Sequence, residues 1–122
     1  MEKQVNKKTV QRLLINLGIA PKTNGYGYLT SAISIELERR PGDVPMGKLC
    51  EMIATEYHVS PSSVERCMRF AIGRAYNRNK LAGINDLFDA YIITDVPMLS
   101  DFIMYIAEYL YTFYKYDDYR IG

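Results

Sequence analysis

The 122-residue chain is 48% hydrophobic and 24% charged, with a net charge of +1, one His and two Cys. That balance suits one globular domain with a buried core, and no apolar run reaches the ~18 residues of a membrane span. The cysteines, Cys50 and Cys67, have no CxxC spacing, and the start Met1-Glu2-Lys3-Gln4-Val5 lacks a signal peptide's apolar stretch; a cytoplasmic protein with reduced, partly buried thiols is expected. The small net charge hides a polarity: residues 1–80 carry 13 Lys/Arg against 7 Asp/Glu, and residues 81–122 carry 2 against 7. Such asymmetry points to a basic surface for a polyanion and a separate acidic end, although solvated faces alone also produce it.

Val10, Leu13, Leu14 and Leu17 recur at the spacing of an amphipathic helix over residues 6–17. Gly18 is a natural C-terminal stop, and Pro21 follows it. Asn24-Gly25-Tyr26-Gly27 reads as a turn. Leu29, Ala32, Ile33 and Leu37 make a second helix, closed by Pro41-Gly42. Met46, Leu49, Cys50, Ile53, Ala54 and Tyr57 make a third, and Val64, Met68, Ala71, Ile72 and Ala75 a fourth. Ser60 is placed to N-cap the fourth, with Pro61 at its first position. A short fifth helix is expected over Ile84–Tyr91. After Pro97, Ser100 is placed to cap a last helix carrying Phe102, Ile103, Ile106, Ala107, Leu110 and Tyr114 on one side. Tyr91-Ile92-Ile93-Thr94 is β-prone but brief and isolated, and reads as a connector. The expected fold is one all-α domain over residues 1–122, with about six helices and no wing.

The third and fourth helices meet across only His58-Val59-Ser60. Two helices joined by a tight turn, the second with a polar, Arg-bearing face near its start, form the pattern of a helix-turn-helix. Ala54 is small enough to let the two helices cross. Val59 and Val64 are placed to point into the angle between them. His58 occupies the position where the backbone often turns left-handed, which His tolerates better than most residues. With Val64, Met68, Ala71, Ile72 and Ala75 turned inward, Ser62, Ser63, Glu65, Arg66, Arg69, Phe70, Gly73 and Arg74 are left outside. Arg66 or Arg69 can make a bidentate contact to guanine, and Glu65 can accept from a cytosine amino group or hold a neighbouring arginine. Ser62 and Ser63 suit phosphate or base contacts. Gly47 and Lys48 open the third helix, whose free N–H groups and dipole favour a phosphate. Arg74, Arg78 and Lys80 can track the DNA backbone.

The run Ile53-Ala54, Val59 and Val64-Glu65-Arg66-Cys67-Met68-Arg69-Phe70-Ala71-Ile72 resembles the C-terminal DNA-binding effector domain of the master response regulator of sporulation initiation in endospore-forming Firmicutes. Leu17-Gly18-Ile19-Ala20-Pro21, Gly25-Tyr26-Gly27-Tyr28-Leu29, Leu87-Phe88 and Pro97 with Ser100–Ile103 extend the likeness in order over roughly residues 10–114. The resemblance implies a six-helix fold, binding to a short element in double-stranded promoter DNA as tandem dimers, and regulation through RNA polymerase and its sigma factor. It implies base-reading positions at Glu65, Arg66 and Arg69, with a matching serine at Ser62. The chain departs from the family where Ser63 replaces a frequent arginine and Phe70 a usual histidine; the latter exchanges a polar contact for an apolar one suited to a thymine methyl. Cys50-Glu51 replaces Tyr-Pro, and Tyr76 a tryptophan. The full regulator carries a phosphorylatable receiver domain, for which these 122 residues leave no room; a fragment and a standalone relative are equally open readings.

The expected function is thus that of a sequence-specific transcriptional regulator with its recognition helix, residues 61–79, in the major groove. The alternative is a protein-interaction module of the same fold, acting through the tyrosines of the C-terminal segment: Tyr105, Tyr109, Tyr111, Tyr114, Tyr116 and Tyr119. Part of that helix serving self-association on DNA is the mixed case. An enzyme is not expected. The chain lacks a phosphate-binding glycine loop, a nucleophile–base pair and a metal-ligand cluster, so neither cofactor nor metal is called for. Glu36 and Glu38, beside Arg39 and Arg40, read as solvated charge.

Overall fold

The computed structural model describes residues 5–114, and these form six α-helices with no strand and hence no wing. Helix α1 (Lys7–Asn16) starts at a reciprocal cap: the Asn6 side chain accepts from the Thr9 N–H at 3.0 Å, and the Thr9 hydroxyl accepts from the Asn6 N–H at 3.5 Å. It stops at Gly18, whose φ of +88° is left-handed. A Cβ there would also stand 2.5 Å from Lys80 Cβ, so glycine serves both the turn and the approach of the chain after α4.

Helix α2 (Asn24–Glu38) begins earlier than the sequence pattern indicates. Asn24-Gly25-Tyr26-Gly27 is not a turn but the first turn of this helix. The reason is tertiary: a Cβ on Gly25 would collide with the carbonyl oxygen of Cys67 and stand 2.8 Å from Ala71 Cβ. Glycine here lets two helix backbones touch, and that packing outweighs its poor helix propensity. α2 is the hub of the molecule, packing on α1 and on the third, fourth and sixth helices, and Tyr28, Leu29, Ala32 and Ile33 are buried along it. Glu36 is buried too, against the expectation of solvated charge; its carboxylate accepts from the Gly42 N–H at 2.6 Å and ties the helix end to the following loop. The partner is a backbone group, so no side-chain pattern announces it.

Helix α3 (Met46–Tyr57) ends at His58, whose φ of 58° and ψ of 45° give the left-handed turn expected of it. The Val59 N–H closes that turn on the Ala54 carbonyl at 3.0 Å. Helix α4 (Pro61–Asn77) follows, and a short α5 (Gly83–Phe88) stops at a left-handed Asp89 rather than running to Tyr91. The connector after it is held without a strand: Asn85 Oδ1 accepts from the N–H groups of Ile92 and Ile93 at 2.6 and 2.7 Å. Helix α6 (Leu99–Glu108) is capped by Met98 in extended conformation, not by Ser100, which lies inside its first turn. The ladder already starts at the Met98 carbonyl, which accepts from Phe102 N–H at 2.9 Å, because the buried stripe Leu99, Phe102, Ile103 and Ile106 begins at residue 99. A wider π-helical turn, Tyr109–Tyr114, continues it.

The core gathers α1 through α6 around α2, with Leu14, Leu29, Ile33, Ile53, Met68 and Phe102 fully buried. No helix among the described residues is long and apolar enough to cross a membrane. Tyr116 and Tyr119 lie outside the described residues, as does the side chain of Tyr114.

Candidate nucleic-acid interface

The tight turn and the start of α4 are set by local chemistry. The Ser60 hydroxyl accepts from the Ser63 N–H at 3.2 Å, satisfying one of the helix's free donors, and Pro61 at the first position has no N–H to leave unpaired. The inward face of α4 consists of the five residues its spacing indicates: Val64, Met68, Ala71, Ile72 and Ala75. Ala54 is buried where α3 meets α4, and Val64 lies wholly within the angle. Val59 is 38% exposed and so is not enclosed in that angle.

With its apolar stripe fixed inside, α4 presents Ser62, Arg66, Arg69, Phe70 and Arg74 to solvent, with Ser63 and Glu65 half-exposed. Two contacts order this face along the helix. Glu65 Oε2 accepts from Arg69 Nε at 3.2 Å and lies 3.1 Å from Nη2. Both side chains are solvated, so the pair contributes only ~0.3–0.5 kcal/mol to stability; its larger effect is to hold Arg69 against its own helix. One turn on, the Arg74 guanidinium lies 5.7 Å from the Phe70 ring centroid. At the N-terminal end the Ser62 and Ser60 hydroxyls are 3.3 Å apart.

The charged pair also reaches the helix behind. Burial pushes the Cys50 thiol of α3 above its ordinary value, the Glu65 carboxylate pushes it further the same way, and the Arg69 guanidinium opposes them. Cys50 is therefore a neutral, buried thiol beneath the outer face, and both cysteines are free. Lys48 stands exposed at the start of α3, which has no side-chain cap. Among the described residues it makes no hydrogen bond or ion pair with the α4 set. Of the two other basic residues, Arg78 is the C-cap of α4, and the stem of Lys80 lies over Gly18.

Two neighbours of this face are not apparent in the sequence. On one side, Thr23, Asn24 and Gly25 of the α2 start form, with Arg66, Cys67 and Phe70, a groove of about 320 Å³. On the other, Val96, Pro97, Met98 and Leu99 border a groove of about 270 Å³ with Arg69 and Ile72. Gly25 carried a signal for the first, since a glycine that is not a turn marks close approach. Residues 96–99 carried none, being remote in sequence from α4. No group of three or more His, Cys, Asp and Glu suited to a metal occurs among the described residues.

The chain belongs to a known family: its residues 10–110 match the sporulation initiation factor Spo0A C terminal. This is a family of DNA-binding regulatory domains rather than of enzymes, and of response-regulator effector domains acting in transcription and sporulation. The chain is accordingly a DNA-binding regulator.

Proposed function

We propose that this member of the sporulation initiation factor's effector-domain family recognises a specific promoter element by laying the first three turns of α4 in the major groove. The observation that carries the reading is the ordered outer face of α4. Ser62, Ser63, Glu65, Arg66, Arg69, Phe70 and Arg74 lie outside the core within 13 residues of a capped N-terminus, behind a left-handed three-residue turn. Residues at that end of such a helix reach base edges. Among the described residues Arg66 makes no ion pair and can take a guanine O6/N7 pair, whereas Arg69 arrives already oriented by Glu65. Ser62, Ser63 and Arg74 contact phosphates, and Lys48 with the uncapped start of α3 grips the strand alongside.

The test is selection of bound duplexes from a random pool, followed by affinity measurements on the enriched sequence. Arg66→Ala and Arg69→Ala each weaken specific binding by ~1–3 kcal/mol, and wild-type affinity falls steeply with salt as counterions are released. Unchanged binding in both variants would remove α4 from the interface.

The protein-contact reading has support of its own, but as a companion rather than a rival. Phe88 stacks edge-on against Tyr105, Tyr109 and Phe113 at centroid distances of 6.1, 6.2 and 5.3 Å. These rings are largely spent on the fold, while Tyr111 and Phe113 remain 39% and 40% exposed. A modest aromatic surface of this kind fits self-association on DNA or contact with RNA polymerase and its sigma factor. It is too small to replace the DNA-reading face.

A further inference from the structure

Phe70 has no evident duty in the fold. It is 59% exposed, the largest apolar side chain on the outer face of α4, and lies one turn beyond Arg66. Its ring is nevertheless ordered on one side by Arg74, 5.7 Å from the ring centroid, and it forms part of the wall of the groove shared with Arg66 and the start of α2. Arg66 and Arg74, four residues before and after it, flank it with positive charge on the same helix face. That charge selects a polyanion as the occupant, and an apolar ring set in such a surface needs an apolar group on that polyanion. The major groove of unmodified DNA offers one: the C5-methyl of thymine.

We propose that Phe70 is a specificity-determining residue that seats the C5-methyl group of one thymine, with Arg74 steadying its ring and Arg66 reading a base one helical turn away. The inference rests on the placement of α4 in the major groove proposed above. It names a base at one position and the single group by which that base is distinguished. The contact is hydrophobic and directionless, so it discriminates by the presence of the methyl rather than by hydrogen bonding.

The experiment uses the duplex enriched from a random pool, with each thymine in turn replaced by deoxyuridine, which removes only the C5-methyl. At one thymine per bound protein, wild-type affinity falls about fourfold, the effect of burying one methyl-sized group. Phe70→Ala binds the thymine and deoxyuridine duplexes equally at that position, and Phe70→Leu, which keeps an apolar surface, retains part of the difference. Circular dichroism on both variants checks that the helices persist. Equal binding of wild-type protein to all the deoxyuridine duplexes overturns the proposal, as does the same loss in Phe70→Ala or an enriched site without thymine. In those cases, continued sensitivity to Arg66→Ala leaves the α4 reading standing. If no duplex is enriched at all, both proposals fail together.

Discussion

The α3–α4 unit and the segment from α5 to Tyr114 solve opposite problems with similar helices. In α4 the inner stripe is complete, and what remains outside is, apart from Phe70, mainly polar or charged and ordered by pairs along its own helix. The α5–α6 segment buries an equally clean stripe but leaves apolar and aromatic groups outside: Tyr91 is 85% exposed and Met98 68%. Its charge is opposite as well, with 5 acidic residues and no basic one from residue 81 to residue 114. A surface that meets a polyanion must be cationic and wet, whereas one that meets protein gains most from aromatic area. On the function proposed above, the two halves divide nucleic-acid contact from protein contact within one core.

That division is open to test, starting where the effect is largest. Met68 is fully buried beneath the outer side of α4, so Met68→Ala costs ~2–5 kcal/mol in chemical unfolding. It harms DNA affinity only in proportion to the unfolded fraction; a binding defect in fully folded protein would show that the core and the outer face are not independent. Phe113→Ala removes one edge-on contact with Phe88 and costs about 0.5–1.5 kcal/mol of stability. Monomer affinity for DNA stays at the wild-type value, while sedimentation on a tandem site reports reduced self-association. Loss of monomer affinity would merge the two regions.

Glu65→Gln breaks the ion pair with Arg69 yet changes stability by no more than ~0.5 kcal/mol, since both partners are solvated. A thermal melt with a larger loss would assign Glu65 a structural role. The last effect is confined to alkaline pH. Cys50 ionises in the folded protein only above its ordinary value of 9.0. Its contribution to stability is therefore present below that pH and lost as pH rises through the folded value. Cys50→Ala removes this part of the alkaline decline, read as the difference between the two proteins' unfolding free energies from pH 8 upward. Identical slopes would place the thiol in a solvated setting.

What the sequence makes legible is the chemistry that acts within one or two helical turns. The Ser60 cap, the left-handed His58 and all five inward residues of α4 are read from spacing alone, because each depends on neighbours in the chain. Family membership is legible for the same reason, resting on the Val64–Ile72 run and its ordered flanks. Gly25 misleads, since glycine's ordinary meaning is a turn and only the approach of Cys67 turns it into a helix contact. Glu36 misleads because its partner is the backbone of Gly42. Val59 misleads because its position after the turn suggests the interhelical angle, whereas it stays 38% exposed. The groove beside Arg69 depends on residues 96–99 packing near α4, which no local pattern contains.

The central claim is that the outer face of α4 reads sequence rather than merely attracting phosphate. It is tested most directly by the ratio of affinities for the enriched duplex and a scrambled one, measured at one fixed salt concentration for wild-type protein and Arg66→Ala. The account predicts that Arg66→Ala lowers this ratio by about fivefold or more, as the loss of a bidentate base contact does, with a much smaller change on the scrambled duplex. An equal loss on both duplexes, leaving the ratio unchanged, would contradict it and make Arg66 a phosphate contact.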